Sequence, residues 1–472
     1  MLVDRMIWIK ILRPLFFVGI ALGTVIFIFY YFTTLSSARP TKANLIIDTK
    51  KVIGKLPTNW RAFAQGGEEL GTPMLHSVLS QISELTPSYI RIDHIYDGYS
   101  VVGRGSDGRL QFNWSRLDQT VCDIYVTGAR PFFSLSYMPS AISTDGSPIS
   151  QPSNWNEWAL VVQKTIERYS GRDTVLCNGT ISGSKLIDTY YEVWNEPDLE
   201  AFGKWSVYGE KSYLTLYYYS AIGASQAQSI NRFKIGGPAT TGPYKNWFQG
   251  FIAYVSSHNL PVDFLSWHHY TKNPDDYLTD VLNLNDWLSD PQYTQYKGLP
   301  RIISEWGYDS AYNPIADTNV GAAHIIMSLR NLIDQNVALA FAFELKDGPS
   351  PSWGILTNQG AKKPRYFALQ FLNQMRYFRL KVDGEGTYVR AIASAAPGII
   401  NIVLVNYDPS NENTELVPVL FNNLDNGNYT LTIHYLEGQN VSVPNITPVA
   451  GKFRRDILMN ANMVIALELT KQ

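Results

Sequence analysis

Between residues 61 and 344 the chain alternates two kinds of segment. Short runs rich in apolar, β-branched and aromatic residues fall at 61–65, 89–94, 130–136, 190–195, 233–237, 264–269, 301–306 and 338–344. Longer stretches with a helical apolar period lie between them, among them 155–169, 213–230 and 321–335. Several of the short runs are apolar at consecutive positions rather than alternate ones, as strands buried on both faces are. Strand and helix in alternation predict parallel strands with helical crossovers. Eight such units within roughly 300 residues predict a closed (β/α)8 TIM barrel.

After residue 377 the pattern changes. Runs at 389–393, 399–407, 415–421, 429–435 and 463–469 read as strands separated by turn-rich pieces, with no helical period. This predicts a C-terminal β-sandwich domain. Residues 43–55, ahead of the first barrel strand, are a candidate additional strand for it. At the other end, residues 15–32 form an uncharged apolar run, preceded by Arg5, Lys10 and Arg13 against Asp4 alone. At 1.5 Å per residue such a run comes close to spanning a hydrocarbon core. The basic flank predicts an N-terminal transmembrane signal anchor with its start in the cytoplasm and the rest of the chain outside. Ser36-Ser37-Ala38 offers the alternative of a cleaved leader and a secreted product. The expected division is therefore 1–14 cytoplasmic, 15–32 membrane anchor, 33–55 linker and candidate strand, 56–377 barrel and 378–472 sandwich.

Composition narrows the partners. A net charge of -2 without any basic stripe argues against nucleic acid. Aromatic residues make up 13% of the chain, which suits a cleft that stacks flat apolar faces such as those of sugar rings. The two cysteines, Cys122 and Cys177, match no metal-binding spacing; they are either one disulfide or two unpaired thiols.

Barrels of this class carry their chemistry at the C-terminal ends of strands. The fourth predicted strand ends in Trp194-Asn195-Glu196-Pro197, and the seventh in Ser304-Glu305-Trp306-Gly307. Strands four and seven face each other across the mouth, so both carboxylates reach one cleft. Two carboxyl groups about 5–5.5 Å apart are what a retaining glycosidase requires. One protonates the leaving oxygen and later activates water, and the other attacks the anomeric carbon. Asn195, beside Glu196, is placed to hydrogen-bond a sugar hydroxyl; the plainer alternative is closure of the turn before Pro197.

These motifs resemble glycoside hydrolase family 39, the family of β-xylosidases and α-L-iduronidases. The resemblance rests on Trp194-Asn195-Glu196-Pro197, Glu305-Trp306-Gly307, Lys234-Ile235-Gly236-Gly237-Pro238-Ala239, Asp263-Phe264-Leu265-Ser266-Trp267-His268, Trp353-Gly354-Ile355-Leu356 and Lys363-Pro364-Arg365-Tyr366, over roughly residues 55–380. It implies a retaining mechanism with Glu196 as acid/base and Glu305 as nucleophile. It also implies that Arg91 lies near the nucleophile, that His268 and Tyr270 touch substrate or nucleophile, and that Trp353 forms a stacking floor. The competing readings are an Arg91–Asp93 ion pair, a core His268 and a packed loop Trp353. The chain departs from the family at Arg91-Ile92-Asp93-His94: the usual histidine has slipped by one, which by strand alternation turns His94 away and puts Asp93 in its place. Tyr270 stands where iduronidases hold a basic residue for a uronate carboxylate.

The expected function is a retaining glycoside hydrolase acting on an oligo- or polysaccharide, without metal or cofactor. The alternatives are a membrane-anchored carbohydrate-binding protein with a dead barrel, and a transglycosylase using the same site.

Overall fold

The computed structural model describes residues 40–67, 69 and 71–472. The apolar run at 15–32, expected to be a membrane anchor, lies outside the described residues. Among the described residues no helix is long and apolar enough to cross a membrane.

Eight parallel strands close a barrel: β1 (Ala62–Gln65), β2 (Tyr89–Ile92), β3 (Arg130–Leu135), β4 (Thr189–Val193), β5 (Phe233–Thr240), β6 (Phe264–Tyr270), β7 (Arg301–Gly307) and β8 (Leu339–Phe343). A helix follows each of them: α1 (Leu79–Glu84), α2 (Ser115–Val126), α3 (Trp155–Tyr169), α4 (Tyr213–Gln226), α5 (Lys245–Ser257), α6 (Asp276–Trp287), α7 (Asn319–Asp334) and α8 (Pro364–Asn373). The architecture is the predicted (β/α)8 barrel, and each of the eight expected strands is present. Their ends differ: β2 stops at Ile92 rather than His94, β4 stops at Val193, and β5 runs on to Thr240.

Alternation sorts the strand residues into two cores. Ala62, Ala64, Phe132, Phe264, Ile302 and Phe341 point inward and fill the barrel floor. Their neighbours Phe63, Ile90, Phe133, Tyr191, Leu265 and Ile303 point outward, into the core shared with the helices. The helices answer with apolar stripes. In α3, Asn154 caps the first turn by accepting from Asn156 N, and Trp158, Val161, Val162, Thr165, Ile166 and Tyr169 are buried at helical spacing. Cys122 of α2 is disulfide-bonded to Cys177, with Cα atoms 5.4 Å apart, which settles the open question of their state.

The remaining strands are β9 (Phe378–Asp383), β10 (Val389–Ala396), β11 (Ile399–Asn406), β12 (Glu415–Asn422), β13 (Tyr429–Tyr435), β14 (Asn440–Ile446), β15 (Phe453–Met459) and β16 (Val464–Lys471). With Leu45–Lys55 they form one nine-stranded sheet, in the order β14-β13-β16-β11-β10-β9-(Leu45–Lys55)-β12-β15. Its ends contribute to a single apolar interior, from Leu45, Val419 and Ile457 to Leu404, Leu431 and Leu467, which makes it a β-sandwich. Alternate residues on the other face, Ile392, Val403, Val405 and Val464, join the barrel's helical core. Strands β9, β14 and β15 are missing from the sequence-based expectation. The last two are the edges of the sheet and mostly exposed: in β14 the buried apolar positions are few, and in β15 the inward Phe453, Ile457 and Met459 are interrupted by Arg454, Arg455 and Asp456.

Helix α7 lies under this junction, against β10, β11 and β16, and is buried almost all round. Its His324 donates from Nε2 to Thr271 O at 2.7 Å, and burial pushes its pKa down to about 3. An unfolded histidine titrates near 6.5, so between these values the unfolded chain takes up a proton that the native chain refuses. Stability therefore falls as pH drops through this window. By pH 4.5 the His324 contribution amounts to about 3 kcal/mol. His324→Gln keeps a donor near Thr271 and cannot charge. Urea unfolding at pH 7 and 4.5 should show a smaller acid loss for this variant; equal losses would refute the assignment.

Candidate active site

The inward column changes character toward the C-terminal ends of the strands. Above the apolar floor stand Arg91 on β2 and Glu192 on β4, both buried, with Asn195 and Glu196 just past β4, His268 and Tyr270 at the end of β6 and Glu305 on β7. Alternation alone does not deliver Glu305 here. Ile302 faces inward and Ile303 outward, so strict alternation sends Glu305 outward as well. The pairing of β6 with β7 breaks at Ser304: Trp267 pairs with Ile303, but His268 pairs with Glu305. This β-bulge turns Glu305 into the mouth.

Arg91 ties the site together. Its Nε donates to Glu192 Oε2 at 2.8 Å, its Nη1 to Glu305 Oε1 at 2.7 Å and its Nη2 to Asn195 Oδ1 at 2.7 Å. Burial opposes its charge, but Glu192 and Glu305 outweigh burial and fix the guanidinium as a cation. The expected alternative, a structural pair with Asp93, is not what holds it. Glu192, absent from the sequence-based site, is the second anchor. Its signal was a charged residue at an inward position of an otherwise apolar strand.

Tyr270 donates its hydroxyl to Glu305 Oε2 at 2.9 Å. Burial and the nearby Glu305 carboxylate raise the phenol's pKa far above its ordinary value, so it stays a donor. His268 places Nδ1 3.0 Å from Glu196 Oε1 and 3.5 Å from Glu305 Oε2. Burial disfavours its charge, yet the Glu305 carboxylate and the bond to Glu196 prevail and raise its pKa. Burial raises the pKa of Glu305 above the ordinary carboxylate value, against the pull of His268 and Arg91. Arg91 near the nucleophile would by itself hold Glu305 ionised; burial works against it.

Asn195 carries less free capacity than expected. Its Oδ1 accepts from Arg91 and its Nδ2 donates to Tyr137 OH at 2.7 Å, which leaves one amide hydrogen for a ligand. Around Glu196 the backbone is unusual: Trp194 has φ 71° and Glu196 φ 43°. Left-handed backbone at non-glycine residues costs about 1–3 kcal/mol each and persists where packing fixes it. Here Trp194 is fully buried with Nε1 donating to Phe202 O, and Glu196 N donates to Ala239 O at 3.0 Å.

These groups open on a cleft of about 560 Å³. Its walls include Asp93, His94, Asn195, Glu196, Phe202, Tyr270, Glu305, Phe343 and Trp353. Trp353 is fixed by Nε1 donating to Asp309 O at 3.1 Å and by an edge contact with Phe343. The expectation that the slipped His94 turns away is corrected. Because β2 ends at Ile92, alternation no longer governs the next residues; His94 has φ 50° and lines the cleft together with Asp93. Its Nδ1 meets Asp97 at 2.7 Å.

Glu196, His268 and Glu305 each present one ligand atom within 4.8 Å of the others, a spacing able to hold a metal ion. The Arg91 cation 2.7 Å from Glu305 works against a second positive charge there. What the arrangement can do unaided is proton transfer beside nucleophilic attack: two carboxylates, one oxygen of each within 4.8 Å of the other, one fixed by a cation and a phenol, the other hydrogen-bonded to an imidazole.

The comparisons agree with this geometry. Over 408 residues the chain is 25% identical to a beta-xylosidase of Caldicellulosiruptor saccharolyticus, covering 79% of this chain and 80% of that one. A beta-xylosidase of Geobacillus stearothermophilus is 26% identical over 362 residues, 67% of each chain. The crystal structure of a monomeric beta-xylosidase from Caulobacter crescentus CB15 superposes with a TM-score of 0.73 at 21% identity, over 91% of this chain and all of that one. The family model of glycosyl hydrolases family 39 matches residues 45–408, which takes in the barrel and the first strands of the sandwich. With paired carboxylates at the mouth of such a barrel, the chain belongs to glycosyl hydrolases family 39 and is a glycoside hydrolase.

Proposed function

We propose that this hydrolase retains anomeric configuration, with Glu305 as nucleophile and Glu196 as acid/base, and that β-xylosides are its leading substrate class. One observation carries the mechanism: one carboxylate oxygen of Glu196 lies within 4.8 Å of one of Glu305, which fits the short carboxyl separation of retaining enzymes better than the wider gap that inverting enzymes leave for water. In the first step Glu305 attacks the anomeric carbon while Glu196 protonates the departing oxygen. In the second, Glu196 takes a proton from water, which displaces Glu305. Arg91 and Tyr270 hold one oxygen each of Glu305 and leave it a single trajectory. The sugar class follows the named relatives, both beta-xylosidases.

The test is hydrolysis of an aryl β-glycoside panel led by p-nitrophenyl β-D-xyloside, followed by NMR of the first-formed anomer. A β-anomer is expected; an α-anomer would overturn the double displacement. Complete inertness with surviving glycan binding would favour the dead-barrel reading instead.

The pH dependence follows from the shifted groups. Glu305 must be ionised to attack, and its pKa is raised, so kcat/KM should fall as pH drops at values already above the ordinary 4.5 of a glutamate. On the alkaline side activity falls once His268, whose pKa the Glu305 carboxylate and the bond to Glu196 raise, loses its proton. A flat profile between pH 4 and 9 would contradict the two-carboxylate assignment. The extracytoplasmic placement expected from residues 15–32 is supported by the Cys122–Cys177 disulfide, since such bonds persist in oxidising compartments.

A further inference from the structure

Asp93 is a buried carboxylate that the mechanism above does not use. It follows β2 directly, is 8% exposed, and lines the catalytic cleft. It also borders a small adjoining chamber of about 20 Å³ that includes Gln65, Tyr99 and Thr120. Its Oδ1 is buried, and no donor among the described residues meets it. Arg91, whose charge interacts with Asp93, spends its hydrogen bonds on Glu192, Glu305 and Asn195.

Leaving a buried carboxylate short of donors is unfavourable, and the Glu305 carboxylate nearby adds like-charge repulsion. Arg91 offsets part of the Asp93 charge through space, but no donor within the described residues meets Oδ1, so the missing hydrogen bonds are left to what enters the cleft and its chamber. A sugar ring offers that: each hydroxyl is a donor, and an ionised acceptor makes a charge-assisted hydrogen bond. The chamber has room for one water on the far side of the carboxylate, which would serve the enclosed oxygen and leave the other for the ligand. The charge of the cleft points the same way. Asp93, Glu196 and Glu305 stand in its walls, and no lysine or arginine is among the described lining residues.

We propose that Asp93 is a specificity-determining residue of this site, receiving one ring hydroxyl of a neutral sugar and excluding anionic sugars. The proposal rests on the glycosidase reading above and names which sugars that site accepts.

The experiment compares wild type, Asp93→Asn and Asp93→Ala on p-nitrophenyl β-D-xyloside and its 2-, 3- and 4-deoxy derivatives. In wild type, removal of one particular hydroxyl should lower kcat/KM by about 10- to 100-fold, the range for a hydrogen bond to a charged acceptor. In Asp93→Ala the same deletion should cost no more than about threefold, because the partner is gone. Asp93→Asn should raise the ratio of p-nitrophenyl β-D-glucuronide to xyloside turnover at least about tenfold by removing the repelling charge. Neither variant should lower the thermal unfolding midpoint, since no hydrogen bond within the fold is lost.

The proposal is overturned if the three deoxy penalties are the same in wild type and Asp93→Ala, or if both variants simply unfold earlier with unchanged specificity. Should wild type turn over no glycoside, the enzyme reading fails separately. Asp93 is then judged by NMR titration of D-xylose and the deoxy-xyloses into wild type and Asp93→Asn. Equal affinities across that set overturn it.

Discussion

Glu305→Gly should lower xyloside turnover by about 10⁴-fold or more, as loss of a covalent nucleophile does elsewhere. Sodium azide should then restore activity. The substitution leaves a hole on the face of the sugar opposite the leaving group, and a small anion can occupy it. Azide entering there displaces the aglycone in one step, so the product is a glycosyl azide of inverted configuration. The fold should tolerate the change, because Arg91 keeps its bonds to Glu192 and Asn195 after Glu305 is gone. An unfolding midpoint close to wild type checks that the loss is chemical. Two results would defeat the assignment: residual turnover within tenfold of wild type, or an azide product of retained configuration.

The second large effect is expected at Glu196. Without its general acid the enzyme should lose about 10²–10⁴-fold on substrates whose leaving group needs a proton. A 2,4-dinitrophenyl glycoside departs unassisted, so its first step should be nearly spared in Glu196→Ala. The second step still lacks its base. A glycosyl-enzyme should therefore accumulate and show as a burst followed by slow turnover, with a lowered KM. Azide attacks that intermediate from the face the aglycone left, so here the rescued product retains configuration. The opposite stereochemical outcomes for Glu305→Gly and Glu196→Ala separate the two roles more sharply than rates do. An equal loss on both leaving groups would show that Glu196 is not the acid.

The two assignments also bear on His268. Its Nδ1 stands 3.0 Å from Glu196 and 3.5 Å from Glu305, and His268 and Glu305 each shift the other's titration. Protonation of Glu305 in acid removes one of the charges that raise the His268 pKa. If Glu305 is the nucleophile, the acid limb of the pH profile should therefore reflect Glu305 and His268 together.

Much of this was legible in the chain itself. Apolar runs alternating with helical periods are local signals, each complete within a dozen residues, and they set the eight strand–helix units in order. Once a barrel is inferred, chain order places Glu196 and Glu305 at the ends of strands four and seven of one mouth, so their shared end of the barrel needed no coordinates, though their aim did. The edge strands β14 and β15 escaped notice because exposed and charged positions, Arg454, Arg455 and Asp456 among them, break up the few buried ones. What only the tertiary structure decided lies in geometry that no local pattern encodes. The break in pairing at Ser304 overrides alternation and aims Glu305 inward, and it exists only because β6 and β7 meet in that register. Asp93 lies where alternation puts it, but the end of β2 at Ile92 releases His94 from alternation and brings it to the cleft as well. Arg91 reaches Glu305 across 214 residues of sequence, while also holding Glu192 and Asn195. Sequence periodicity reports which face of an element is buried. Which partner waits there is set by how distant strands pair, and that pairing fixed the electrostatics of this site.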